Sequence, residues 1–178
     1  VGIPIKSTTN TWGAVNFGAT RNFIYTSKSV VASNDCNGAA LPTITTVDHY
    51  DCQTTPSACY GERTSSVVTR PDSSSMTTTT AYTDDTTNWC FGRPNSVVVN
   101  SIVGTSNLTQ TTTYAWSACL LTQETIEPTS GTLKLQTTYT PDAFGNVVQA
   151  AVSGSNITSR STSVTYDSRG EFPIQTKN

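Results

Sequence analysis

Two places along the chain carry residue types that could move protons, and neither has the company such chemistry needs. Asp84 and Asp85 are the obvious carboxylate pair for acid–base work. Neighbouring residues of an extended segment point to opposite faces, so the two are badly placed to share one substrate, and turn capping is the better reading. His49, the single histidine, stands beside Tyr50 and Asp51. A general base needs a reacting proton within reach, and the chain holds no nucleophile motif such as G-x-S-x-G. A structural or exposed histidine is expected there. The expectation is no enzyme, no catalytic residue and no cofactor.

Five cysteines stand at 36, 52, 59, 90 and 119. None forms C-x-x-C and His49 has no ligand set around it, so no metal site is expected. The odd count leaves at least one thiol unpaired within the chain. Cys52-Gln-Thr-Thr-Pro-Ser-Ala-Cys59 could close a small loop over Pro56, which would leave Cys36 over. One or two disulfides would fit oxidising surroundings.

The elements that must position these residues read as strands. Thr, Val, Ile, Tyr and Trp alternate in short runs bounded by Gly, Pro, Asn and Asp, and no dozen residues keep a helical period. Strands are expected over 41–50, 64–70, 75–83, 96–103, 108–116, 120–127, 132–140, 146–152, 161–166 and 172–176. Segment 10–24 is the least regular and reads as strand and loop. Asp142-Ala-Phe-Gly145 and Asp167-Ser-Arg-Gly170 both spell D-x-x-G. Asp suits the first position of a type I turn because its carboxylate accepts a backbone N–H two residues on; Gly suits the fourth.

These turns recur. Asp85, Ser117, Asp142 and Asp167 align at one position, spaced 32, 25 and 25 residues apart, each behind a Thr/Ser-rich strand. A fainter fifth unit leads through Ile44-Thr-Thr-Val47 to Tyr50-Asp51. Periods of this length mark architectures in which each unit buries its apolar face only against its neighbours. In that alignment Cys90 and Cys119 both fall close to the turn glycine of consecutive units. Adjacent hairpins would bring them within bonding range, so the alternatives are a Cys90–Cys119 disulfide or two buried thiols.

Composition agrees with a folded, uncharged surface. Charged residues make up 12% of the chain, hydrophobic ones 35%, and the net charge is -2. Disorder normally combines high net charge with low hydrophobicity. The basic residues are scattered singly, which argues against nucleic acid, and no apolar run approaches a membrane span.

Val164-Thr-Tyr166-Asp167-Ser-Arg-Gly170-Glu171 and Tyr139-Thr-Pro141-Asp142-Ala-Phe-Gly145-Asn146 are similar to the Y-x-Y-D-x-x-G-R pattern of the Rhs/YD-repeat family. Tyr82-Thr-Asp-Asp85 through Trp89-Cys90-Phe91-Gly92-Arg93-Pro94 resembles it with an insertion before the glycine. Departures are Pro141 for the second Tyr, Trp116-Ser117 for Tyr-Asp, and loss of the Arg after most of the glycines. The resemblance implies an all-β chain of antiparallel hairpin repeats in a curved, twisted sheet, part of a YD-repeat shell. It covers 44–178 as the repeat array, with 1–43 an irregular or degenerate β segment, and both ends read as cuts in a longer chain. It further implies a secreted or cell-surface bacterial protein and a structural segment that encapsulates or presents a C-terminal toxin. Its partners would be the rest of the shell and that enclosed toxin. Such shells often cut themselves at Asp-Pro bonds, a dipeptide this chain lacks.

A second class of function is extracellular adhesion or carbohydrate binding. Aromatic rings near strand ends can stack on sugars, with Trp89 and Trp116 the candidate contacts, against a reading in which such rings fill space between hairpins. Asn107-Leu-Thr109 and Asn156-Ile-Thr158 fit the N-glycosylation pattern, without meaning in a bacterial source.

Overall fold

The computed structural model describes residues 5–18, 21–56 and 59–178. The chain is all-β. Twelve strands form one antiparallel sheet in strict sequence order. They are β1 Lys6–Asn16, β2 Asn22–Ser33, β3 Ile44–Tyr50, β4 Arg63–Thr69, β5 Ser75–Tyr82 and β6 Pro94–Val103. They continue as β7 Ser106–Ser117, β8 Leu120–Ile126, β9 Leu135–Pro141, β10 Val147–Gly154, β11 Ile157–Tyr166 and β12 Pro173–Lys177. A 3-10 turn, Asp51–Gln53, follows β3. Each of the ten strands expected from alternation appears, as β3 to β12.

Segment 10–24, expected as strand and loop, carries the end of β1 and the start of β2, which pair with each other. Trp12 pairs with Thr26 and Val15 with Phe23, with a register shift between Thr11 and Trp12. That shift breaks the alternation along the strand and hides it from a period-two search. Gly13 weakens the pattern again, but the fold uses it. A Cβ there would lie 2.5 Å from Cζ of Tyr25, whose ring covers the bare glycine backbone.

Contacts divide the chain into two compact units, Val1–Ala81 with Val98–Thr109 and Tyr82–Val97 with Gln110–Asn178. The first unit is held by an aromatic cluster. Phe23 stacks on Tyr25 at 5.4 Å, and Tyr50 meets both rings at 5.5 and 5.2 Å. Tyr25 Oη accepts a hydrogen bond from Gln53 Nε2 at 2.8 Å. Glycine serves here too, because a Cβ at Gly61 would press on Phe23 at 2.9 Å.

In the second unit one face of the sheet is polar. Thr113 pairs with Thr125, and Thr125 with Gln136. Gln136 Nε2 donates to Gln123 Oε1, and Gln123 Nε2 to Thr125 Oγ1. Thr125 is buried to 3% exposure within this net. The other face carries Tyr114 opposite Glu124, with Tyr139 Oη 3.5 Å from the Glu124 carboxylate. Neither face is sealed. The apolar residues buried below the surface among those described are Cys52 and Cys90.

Candidate functional site

Backbone geometry explains why aspartate recurs in the connections. In 142–146 the Asp142 N–H donates to Asn146 O at 2.9 Å, and the Gly145 N–H donates back to Asp142 O at 3.1 Å. That is a three-residue hairpin loop, a type I turn closed by a left-handed residue. Gly145 supplies the left-handed φ of 89°. The Asp142 carboxylate accepts from the N–H groups of Phe144 and Asn146, both at 2.9 Å, and from Asn146 Nδ2. Asp167 begins the β11–β12 connection, a loop one residue longer in which its N–H donates to Phe172 O at 2.9 Å. Its carboxylate accepts from Glu171 and Phe172, and Gly170, at φ 70°, donates to its carbonyl.

Asp85 begins the β5–β6 connection. Its carboxylate accepts from the N–H groups of Thr87 and Asn88 and, at 2.7 Å, from Asn88 Nδ2. Here the left-handed residue is Trp89, at φ 56°, and the loop closes through reciprocal backbone bonds between Asp85 and Cys90.

Ser117 keeps the aligned place, the last residue before its turn and paired with Leu120 across it, but the turn is of another type. Ser117 ends β7, and a two-residue loop of Ala118 and Cys119, at φ 47° and 67°, turns the chain into β8. Two residues with positive φ form a type I′ turn, which leaves no room for a carboxylate cap.

Two further carboxylates do the same work. Asp35-Cys36-Asn37-Gly38 is a literal D-x-x-G within the segment read as irregular. Asp35 accepts from the N–H groups of Asn37 and Ala39, and Gly38 donates to Asp35 O. Asp51 accepts from Cys52, Tyr60 and Glu62 across a longer connection.

Alternate connections of an antiparallel meander fall at one end of the sheet. In the second unit these are the loops at Asp85, Ala118–Cys119, Asp142 and Asp167, and each touches the next. Cys90 is joined to Cys119 by a disulfide, with Cα atoms 5.6 Å apart. Leu120 lies over Gly145, where a Cβ would meet its Cδ2 at 3.5 Å. Phe144 lies over Gly170, where a Cβ would sit 2.5 Å from its Cδ2. Asn146 Nδ2 donates to Gly170 O at 2.8 Å. The glycines thus serve twice, for a left-handed φ and for the neighbouring side chain.

The first unit has its own disulfide, Cys52–Cys59, with Cα atoms 4.9 Å apart. Sequence separations of 7 and 29 correspond to loop-closure stabilisations of about 2.5 and 3.5 kcal/mol in the chain-entropy account. Cys36 is free and exposed.

Electrostatics follow from these bonds. Hydrogen bonds from the Asn88 side chain and backbone hold the Asp85 carboxyl below its ordinary value, helped by Thr87 and the nearby Arg93 charge. At Asp142 partial desolvation pushes the carboxyl up, but the bonds from Asn146, Phe144 and Gly145 together outweigh it and the value is lowered. Burial, then the Glu124 charge, pushes the Tyr114 and Tyr139 hydroxyls up.

Asp85 and Tyr114 line one open hollow of the second unit together with Arg93 and Trp116. The Asp85 carboxylate is occupied within its own loop, and His49 is exposed on β3 opposite Ser65. One metal-like grouping occurs among the described residues: Asp51, Cys52 and Cys59, whose ligand atoms lie within 4.8 Å. Both sulfurs are in the disulfide and the carboxylate accepts three backbone N–H groups, so the donor set is not free to take an ion.

The two candidate glycan contacts part company. Trp116 is engaged inside the second unit: its Nε1 donates to Pro94 O at 2.8 Å and the Arg93 guanidinium stacks 5.7 Å from its ring. Trp89 is 82% exposed at a loop tip. Of the two glycosylation-pattern asparagines, Asn107 accepts from Asn100 Nδ2 and Asn156 donates to Thr132 O. Among the described residues no helix is long and apolar enough to cross a membrane.

The chain matches no family model and no curated protein. Sequence reasoning passed over the Asp35 turn, the Arg93–Trp116 stack and the covering of Gly145 and Gly170. The first was legible as D-x-x-G; the others depend on which loops become neighbours.

Proposed function

We propose that this chain is a structural, non-catalytic segment of an Rhs/YD-repeat shell, the wall around or beneath a C-terminal toxin. The observation that carries the reading is the covering of each turn by its neighbour, Leu120 over Gly145 and Phe144 over Gly170. Such packing makes a hairpin dependent on the next hairpin, as in stacked repeats, and not on a central core. A meander of twelve strands without a crossover is the topology such a wall needs. The carboxylates at the turns are engaged in shaping the backbone, which suits a role in geometry.

Electron microscopy of the full polypeptide that carries this segment tests the reading, together with protease digestion. The expected result is a hollow particle with this segment in its wall and a C-terminal polypeptide protected until the wall is denatured. A solid particle, or a C-terminal region cut as fast as in the free state, would overturn it.

A further inference from the structure

Trp89 holds a backbone conformation that its side chain makes costly. The left-handed region costs an ordinary L-residue roughly 1–2 kcal/mol, and in the turns at Asp35, Asp142 and Asp167 the left-handed residue, there three positions after the Asp and not four, is a glycine. The usual compensation for a large residue in such a place is burial, and Trp89 has little: the ring is 82% exposed, with Phe91 edge-on at 5.8 Å. The loop beneath it is firmly braced, by three hydrogen bonds to the Asp85 carboxylate, by the Asp85–Cys90 backbone pair and by the Cys90–Cys119 disulfide. An exposed ring on a strained but rigid backbone is pre-organised for a contact outside the molecule.

The surroundings select the chemistry of that contact. Thr86, Thr87 and Asn88 precede the ring in the same loop and are exposed, offering two hydroxyls and the Asn88 amide oxygen, the amide nitrogen being held by Asp85. A protein partner would need about 800 Å² of patch per side, far more than one indole in a polar rim supplies. We propose that Trp89 is the stacking platform of a saccharide site, taking a neutral pyranose whose equatorial substituents leave an apolar C–H face. The inference is independent of the shell reading: a shell segment and an adhesion module can equally carry such a platform.

Titration of the chain with chitohexaose and with cellohexaose, followed by tryptophan fluorescence and by NMR, tests it on the wild type, Trp89→Ala and Trp89→Gly. The glycine variant separates binding from folding, because glycine fits the left-handed position better than tryptophan. The expected result is saturable binding of at least one oligosaccharide by the wild type, weakened about tenfold or more in both variants, the size of a lost aromatic stack. Trp89→Gly is expected to melt at or above the wild-type temperature. No saturable binding of either sugar at millimolar concentration, undiminished affinity in Trp89→Gly, or a lower melting temperature for that variant would each overturn the assignment.

Discussion

At the scale of single residues, the carboxylates of the turns do electrostatic work that can be titrated. A carboxyl whose folded value is depressed leaves the native state with fewer bound protons than the unfolded chain near that value. Its contribution is fully present above the unfolded value and is lost as pH falls through the folded one. Asp85 and Asp142 are lowered from 3.8, so the stability they confer is lost on the acid side of that value. Asparagine retains an acceptor for the turn but carries no charge. Thermal melts between about pH 5 and pH 2 are therefore expected to fall more steeply for the wild type than for the Asp85→Asn, Asp142→Asn double variant. Parallel slopes would show that the carboxylates cap without contributing charge. The residue scale was also the most legible from sequence, since a D-x-x-G turn is local: the carboxylate and the N–H groups it accepts are two to five residues apart. Asp35 escaped because the end of the strand before it, Val-Val-Ala-Ser33, lacks the Thr/Tyr signature that precedes the other turns, although its own four residues fit.

At the scale of elements, the second unit depends on how one connection meets the next. Gly145 and Gly170 hold the same place in their turns but differ in their neighbours. A Cβ at Gly145 would make ordinary contact with Leu120 at 3.5 Å, while one at Gly170 would overlap Cδ2, Cγ and Cβ of Phe144 at 2.5 to 3.1 Å. Gly145→Ala is expected to cost about 1 kcal/mol, from the left-handed backbone alone, and Gly170→Ala about 2–3 kcal/mol. Phe144→Ala should relieve the excess, so that in its background Gly170→Ala costs about as much as Gly145→Ala. A double-mutant cycle by denaturant unfolding measures this, with no coupling as the result that counts against it. This level was half legible. The strands were plain from alternation, and spacing brought Cys90 and Cys119 to neighbouring turns. The Ala118–Cys119 loop was not legible, because positive φ at both positions is normally marked by Asn or Gly and here falls on residues that carry no such signal.

At the scale of the whole molecule, the arrangement leaves little hidden. The accessible surface is 11732 Å² for 19.0 kDa. A compact monomer of that mass would show about 8,400 Å², and even two separate compact halves about 10,000 Å². The unfolded chain would expose about 27,500 Å², so folding hides roughly 57% where a compact chain of this size hides about 70%. Hydrogen-bonded ladders, two disulfides and lateral contacts between turns must therefore carry much of what a core ordinarily supplies. The denaturant slope of unfolding scales with the area exposed, and it should fall about a fifth below that of compact proteins of equal length, with the disulfides intact in all. Urea titration followed by far-ultraviolet circular dichroism gives this slope. A slope equal to the compact value would mean that the solution state buries far more surface than a sheet with two open faces, through self-association or through a further layer. Repeating the titration across a range of protein concentrations separates these: a midpoint that rises with concentration identifies association, and a constant one identifies a layer within the chain.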